Sequence, residues 1–344
     1  MYSFLICLIA LILSYFIYGK AIEKIAGVDE NIATPVQRLE NGVDYTPLSK
    51  SKALLVHFLN IAGLGPIFGV IQVTLFGPAA FLWITLGTIF IGATHDFFSG
   101  FMSLRNDGST MPAIISKYLG TAARQFVAFV TIITGVLGAA VFANGSAALI
   151  GDLTSTSTFI WVILIFIYFL IATLLPIDKI IGRFYPIFGL LFLVMIILMT
   201  GGLLLNPSYH IPEFTTQGLY LTDKSIFPFL FVTISCGAIS GVHASQSPIV
   251  ARCIKTEKDA RPVFFGAMVL EGITALCWAA IAMAFFHGQP QLAAIYSATP
   301  SVAVNEMATA LVGPVGLVLT IIGVVVCPIT SGDTALRSSR ITIS

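Results

Sequence analysis

Long apolar stretches of membrane-crossing length, separated by short polar segments, dominate this 344-residue chain. The hydrocarbon core of a bilayer is about 30 Å thick, and roughly twenty helical residues cross it. Only 10% of the residues are charged, whereas an average soluble domain carries about a quarter. The pattern predicts an all-α integral membrane protein that forms one polytopic domain in the lipid bilayer. We predict nine transmembrane helices, at residues 3–18, 53–76, 78–100, 126–150, 159–175, 184–205, 226–250, 263–286 and 311–327.

The basic residues predict the orientation of these helices, because cytoplasmic loops retain Lys and Arg. When the loops are numbered along the chain, the odd-numbered loops contain every basic residue except Lys224. We therefore predict an N-terminus outside the cell and a cytoplasmic end at Ser344. The first apolar stretch has no basic residue before it and no small-residue cleavage site after it, so we expect it to remain as a helix.

Several functional classes are disfavoured by the same sequence. The net charge of +1 leaves no basic excess for nucleic acid. The five cysteines show no CxxC spacing, so neither a disulfide framework nor a zinc site is indicated. The motifs of serine hydrolases, zinc proteases and phosphate-binding loops do not occur. We expect a protein that is not an enzyme and that needs no cofactor beyond a coupling ion, Na⁺ or H⁺.

Two predicted helices carry helix-breaking residues in mid-membrane, at 63–66 and at 237–241. In lipid, freed backbone groups persist only where protein or a water-filled cavity covers them, so such breaks predict a binding site. The alternatives are a simple proline kink or a face of small residues that lets helices pack closely. For His57, the alternative is a histidine that only takes part in helix packing. The predicted substrate-binding residues are His57, Asn60, Gly63, Gly65, Pro66, Cys236, Gly237, Ser240, Gly241 and His243.

The two breaks lie five helices apart in helices of opposite direction. This spacing is typical of inverted repeats, in which two interrupted helices meet near the midplane. We predict a first repeat at 53–206 and an incomplete second repeat at 226–344, preceded by an N-terminal helix and cytoplasmic loop at 1–52. The charge pattern places the segment 287–310 outside the cell.

Ionisable residues at membrane depth cost about 2.5–3.5 kcal/mol each on insertion scales. Asp96 and Glu271 both fall inside predicted helices. Each is therefore part of a structural ion pair, a polar link between helices, or a group that couples transport to protons.

Six ordered motifs resemble the carbon starvation protein A (CstA) family of bacterial inner-membrane transporters. They are NGVDYTP (41–47), HFLNIAGLGPIFG (57–69), RNDGSTMPAIISKYLG (105–120), CGAISGVHASQS (236–247), EKDARPVFFGAMVLEG (257–272) and PITSGDTALRSSR (328–340). The resemblance implies a LeuT-like inverted-repeat fold and gradient-driven uptake of short peptides or pyruvate during carbon starvation. Family members usually continue beyond the last motif, so a missing C-terminal segment or a second subunit is an expected partner. The alternative function is a membrane sensor or a subunit of a split transporter.

The resemblance also implies an ion site near the end of the ninth predicted helix. In a LeuT-type arrangement this helix supplies paired hydroxyl groups to a sodium ion, and Thr330 and Ser331 match that pair. The alternative is a capping or turn motif at the membrane boundary. Asp333, two residues further on, is a candidate for proton coupling instead.

Overall fold

A computed structural model describes residues 1–174, 177–215, 243–287, 291–292 and 300–343. Within these residues the secondary structure is helical, with one isolated parallel bridge between Leu48 and Ile254. The α-helices are α1 (Tyr2–Phe16), α2 (Tyr18–Ala26), α3 (Pro35–Leu39), α4 (Lys50–Ala62), α5 (Val70–Val73), α6 (Ala79–Leu86), α7 (Ala93–Arg105), α8 (Met111–Thr154), α9 (Thr158–Leu174), α10 (Ile177–Leu205), α11 (His243–Ala251), α12 (Gly266–Phe285) and α13 (Pro300–Ile343).

Five helical stretches in the described residues are long and apolar enough to cross a membrane. They are Tyr2–Ala26, Ala79–Arg105, Met111–Thr154, Ile181–Leu205 and Glu257–Phe285. A sixth is formed if the bent pair of Lys50–Ala62 and Gly65–Phe76 is one span. The predicted class, an all-α integral membrane protein, is therefore confirmed. The count of nine helices and the inverted repeat stay predictions.

The predicted helix break at 63–66 is present. Helix α4 ends at Ala62, and Gly63 adopts φ 52° and ψ −142°, a conformation that favours glycine. A π-helical turn at Gly65–Gly69 follows, and the chain direction changes by 56° across the break. Pro66 contributes to the break because it has no N–H to continue the α-helical bonding. The second predicted break, at 237–241, lies outside the described residues.

Helix α12 lies in the interior of the bundle, whereas α8 lies at its surface. Within the most apolar 18 residues of each span, 83% of the residues are buried in the span that contains α12. In the span formed by α8, only 17% are buried. Helix α1 packs against α6 and α12, with Phe4 meeting the ring of Phe81 edge-on at 6.1 Å. Glu271, on α12, is fully buried within the described part of the protein.

The ninth predicted helix ends much later than expected. Helix α13 continues beyond Cys327 to Ile343, and it contains a kink at Gly313, where φ is 70°. Residues 330–334 lie in the helix interior, so the capping or turn interpretation is wrong. Thr330, Ser331, Asp333 and Thr334 are buried. The packing around them is close, because a Cβ added at Gly332 would meet the Phe169 ring at 2.4 Å.

The contacts between loops fall into two groups. Odd-numbered loops contact one another through Arg105–Glu257, Arg38–Asp107, Asp44–Arg337, Tyr45–Asp107 and Arg252–Gly108. Even-numbered loops meet through Asp152–Ser301 and the stacked rings of Tyr209 and His287. These contacts connect loops of the same set, as expected if the two sets lie at opposite ends of the bundle. Which end faces the cytoplasm stays a prediction.

Glu213, in the loop after α10, covers the start of α1. Its carboxylate accepts hydrogen bonds from the Met1 amino group and from the backbone N–H groups of Tyr2 and Ser3. These N–H groups belong to the first turn of the helix, where no intrahelical acceptor exists. The Met1 amino group, followed by the Ser3 and Tyr2 donors, lowers the pKa of Glu213 to about 2.

Candidate functional site

The first part of the site joins α4 to α7 next to the helix break. His57 Nε2 lies 2.7 Å from Asp96 Oδ2, and both side chains are completely buried. The edge of the His57 ring also meets the Phe264 ring, with 5.1 Å between the centroids. His57 and Asp96 are 39 positions apart in the sequence, and the fold pairs them. The ion-pair interpretation of Asp96 therefore has a specific partner.

Asn60 lies one turn after His57, on the last turn of α4 before the break. Its side chain is fully buried, yet neither its amide nitrogen nor its amide oxygen has a hydrogen-bond partner among the described residues. Buried amides are nearly always hydrogen-bonded in folded proteins, so such a group points to a polar ligand or to bound water. Asn60 can offer a donor and an acceptor at the same place.

Helix α11 connects this pair to α12. The Ser247 hydroxyl lies 2.6 Å from Asp96 Oδ1 and 2.7 Å from the His243 carbonyl oxygen. His243 Nε2 in turn lies 3.3 Å from Glu271 Oε2, at ion-pair distance but without hydrogen-bond geometry. We call His57, Asp96, Ser247, His243 and Glu271 the histidine–carboxylate cluster.

The histidine–carboxylate cluster is fully buried, and it can hold different numbers of protons. With neutral histidines and ionised carboxylates it carries two negative charges, and each added proton removes one. An ionised Asp96 only accepts hydrogen bonds, so Nε2 of His57 carries the hydrogen between them. Nδ1 of His57 has no hydrogen-bond partner among the described residues.

A second group of oxygens lies between α4 and α13. The Ser331 and Thr330 hydroxyls are 3.2 and 3.5 Å from the Leu59 carbonyl oxygen. Both hydroxyls also approach the Cys327 carbonyl oxygen, at 3.1 and 2.7 Å. We call these two hydroxyls and two carbonyls the hydroxyl–carbonyl cluster. Four neutral oxygens are a ligand set that suits a hard cation such as Na⁺, so the residues fit the predicted ion site.

Asp333 belongs to a different set of contacts. Its Oδ2 accepts a 2.6 Å hydrogen bond from the Tyr185 hydroxyl, which lies 3.4 Å from that of Tyr168. One turn further along α13, Arg337 is fully buried and donates to the carbonyl of Ala172 near the end of α9. The described contacts therefore group Asp333 with Tyr185, apart from the other predicted coupling residues.

Of the remaining predicted residues, some lie at the helix break and the others lie outside the described residues. Gly65 and Pro66 begin the π-helical turn after Gly63. Cys236, Gly237, Ser240 and Gly241 lie outside the described residues. Two residues whose hydroxyl groups hydrogen-bond to predicted carboxylates were not predicted as site residues, namely Ser247 and Tyr185. Ser247 had a usable signal, because it lies four positions after His243 and so on the same helical face.

Comparison with known proteins assigns the chain to a family. The family model for carbon starvation protein CstA matches residues 1–158 and 145–326. An uncharacterized membrane protein of Haemophilus influenzae is 39% identical over 342 residues, covering 84% of this chain and 92% of that protein. The peptide transporter CstA of Bacillus subtilis is 27% identical over 336 residues, covering 78% of this chain and 56% of that protein.

A further relative has a different named substrate. The pyruvate/proton symporter BtsT of Escherichia coli is 27% identical over 322 residues, covering 74% of this chain and 45% of that protein. The chain thus spans about half the length of the two named transporters and most of the length of the Haemophilus protein. The chain belongs to the carbon starvation protein CstA family.

Proposed function

We propose that the chain acts in secondary active uptake of a small carboxylate-bearing solute, a short peptide or pyruvate, driven by a proton gradient. The observation that carries the proposal is the histidine–carboxylate cluster, fully buried beside a broken membrane helix. Ionisable groups inside a membrane protein are costly and commonly mark proton relays or solute pathways. The named relatives, a peptide transporter and a pyruvate/proton symporter, support both the solute class and the coupling ion.

The charge of the cluster gives a physical reason for coupling. When it is deprotonated, its negative charge repels a solute carboxylate at the break, and this repulsion is strong in a medium of low dielectric constant. A proton on His57 or His243 turns the corresponding pair from negative to neutral. The anionic solute then enters a site whose repulsion has been removed, so proton and solute bind together.

The polar groups at the break would bind the solute itself. Asn60 has an unpaired donor and acceptor among the described residues. The segment after Gly63 starts a new helical stretch, and the N-terminus of a helix favours a negative charge. We place the carboxylate of the solute at this break, facing the second interrupted helix of a LeuT-like inverted repeat.

Sodium coupling is the second candidate, and a specific observation favours it. The hydroxyl–carbonyl cluster brings Thr330 and Ser331 to within 3.5 Å of the Leu59 carbonyl oxygen. If Na⁺ is the coupling ion, these two side chains and the carbonyls of Leu59 and Cys327 would hold it. A bound Na⁺ would supply the positive charge that a proton supplies in the first scheme.

Uptake into liposomes that contain the purified chain tests both schemes. Labelled pyruvate and labelled di- and tripeptides are offered with an imposed pH gradient, or with a sodium gradient at clamped, equal pH. We expect accumulation with the pH gradient alone. Accumulation that requires sodium at equal pH would replace the proton by Na⁺. Binding of a solute without any uptake would identify a sensor, or a subunit that needs a partner.

A further inference from the structure

Helix α2 has the surface of a helix that lies at a membrane interface. It continues α1 beyond Ile17, and Gly19 and Ile22 face the protein core. Ile17 and Ile25 are 69% and 76% exposed, and they occupy positions i and i+8 of a wide apolar stripe. Lys20 and Lys24, four positions apart, form a basic row beside that stripe. An apolar row with a basic row beside it is typical of helices at the boundary between acyl chains and headgroups.

A cavity of about 840 Å³ opens beside this basic row. Its walls are Tyr15 at the end of α1, α2 with residues 27–30 after it, the first residue of α4, and the segment 256–262, which precedes α12. Five basic and three acidic side chains line it, which leaves two positive charges. These side chains are Lys20, Lys24, Lys50, Lys258, Arg261, Glu23, Glu30 and Asp259.

Two of the basic residues are already neutralised. Lys258 pairs with Glu30, and Arg261 lies 3.3 Å from Glu23. Arg261 also stacks over the ring of Tyr15, at 5.1 Å from the centroid. The other three, Lys20, Lys24 and Lys50, form no ion pair with any described residue, and all three are exposed. The cavity therefore has three ammonium groups that are available to an anion.

We propose that this cavity binds the phosphate headgroup of an anionic membrane lipid. Ammonium groups on flexible stems are suited to a phosphate at the membrane surface, because the stem stays in apolar surroundings while the charge reaches the headgroup. The positive-inside rule assigns this end of the bundle to the cytoplasm, and the cytoplasmic leaflet carries the anionic lipids. Ile17 and Ile25 favour a lipid over free phosphate, since they give the acyl chains an apolar surface next to the cavity.

Native mass spectrometry of the purified chain in a neutral detergent tests the proposal. Phosphatidylglycerol and phosphatidylcholine with identical acyl chains are titrated separately. We expect phosphatidylglycerol to bind roughly tenfold more tightly, and the variant Lys20→Gln/Lys24→Gln/Lys50→Gln to lose most of that preference. The control Lys52→Gln/Lys117→Gln/Lys255→Gln removes the same charge from exposed lysines that do not line the cavity, and it should bind like the wild type. Equal binding of the two lipids by the wild type would overturn the proposal.

Two further measurements keep the test decisive. The single variant Lys24→Glu changes one exposed side chain and should fold normally, so weaker phosphatidylglycerol binding supports the site even if the triple variant is unstable. Ile17→Gln/Ile25→Gln should also weaken lipid binding, because the acyl chains lose their apolar surface. If that variant binds phosphatidylglycerol normally and millimolar inorganic phosphate displaces the lipid, the site is one for free phosphate and the lipid assignment is wrong.

Discussion

The histidine–carboxylate cluster and the hydroxyl–carbonyl cluster share helix α4, yet they are built from opposite kinds of group. His57 of the first cluster and Leu59 of the second are two residues apart. The first cluster holds ionisable side chains in pairs, whereas the second holds neutral oxygens whose hydroxyls already approach backbone carbonyls. One turn of a broken helix thus contacts two environments of opposite character, one of ionisable side chains and one of neutral oxygens. Which of the two responds to substitution decides the coupling ion.

Substitution of Asp96 should have the largest effect. Asp96→Ala leaves His57 and Ser247 buried without their partner, which should destabilise the protein by about 3–5 kcal/mol. Asp96→Asn keeps the size of the side chain, so we expect a folded protein that exchanges solute across the membrane but no longer accumulates it with a pH gradient. Exchange survives because it needs no net movement of protons.

A surface aspartate provides the control for Asp96. Asp107 pairs with Arg38, and its side chain is 55% exposed. Exposed ion pairs contribute little to stability, so Asp107→Asn should leave both accumulation and thermal stability close to the wild type. Normal accumulation by Asp96→Asn, measured in the same liposomes, would remove the histidine–carboxylate cluster from the coupling mechanism.

Tyr185→Phe tests whether Asp333 takes part in coupling uptake to protons. Loss of the 2.6 Å bond to Asp333 should lower the free energy of unfolding by about 1.5–3 kcal/mol. Tyr168→Phe, which removes only the 3.4 Å contact to the Tyr185 hydroxyl, should cost less. We expect both variants to accumulate solute with a pH gradient. If Tyr185→Phe is stable but accumulates nothing, Asp333 is a coupling residue.

The sequence alone predicted the local features of these clusters. Glycines and a proline in an apolar stretch indicate a break wherever they occur, and the break at Gly63 is present. A carboxylate in an apolar stretch also indicates a buried polar group, as Asp96 and Glu271 are. Both signals depend on residues next to one another in the chain, so no knowledge of the packing was needed.

The pairings could not be predicted in this way. The contacts of His57 with Asp96 and of Tyr185 with Asp333 depend on how each helix is rotated and packed, which hydropathy does not record. The end of α13 was missed for a related reason. The polar residues from Thr330 to Thr334 lower the local hydropathy, but the protein buries them inside the bundle, so the helix continues.

Gly63→Ala should disturb both clusters, because the glycine lies between them and the rest of the span. A residue with a Cβ is strained at φ 52° and ψ −142°, and the added carbon would meet the Phe142 ring at 2.9 Å. We expect a loss of about 1–3 kcal/mol in the free energy of unfolding and slower uptake. Gly138→Ala is the matched control, since its Cβ would lie 3.9 Å from the same ring. Equal effects of the two substitutions on uptake would show that the break needs no glycine.

Removal of the hydroxyls from the hydroxyl–carbonyl cluster should have the smallest effect if protons drive uptake. Thr330→Val and Ser331→Ala each remove a hydroxyl that bonds to a carbonyl, which should cost about 0.5–1.5 kcal/mol in stability. The pH-driven accumulation should be unchanged, because no charged group is lost and the histidine–carboxylate cluster is intact. If Na⁺ is the coupling ion, both substitutions should instead raise the sodium concentration needed for half-maximal uptake, and the pH dependence should change little. Uptake measured against sodium concentration at clamped, equal pH separates the two outcomes. A sodium requirement that shifts in both variants, together with normal accumulation by Asp96→Asn, would assign the coupling to the hydroxyl–carbonyl cluster.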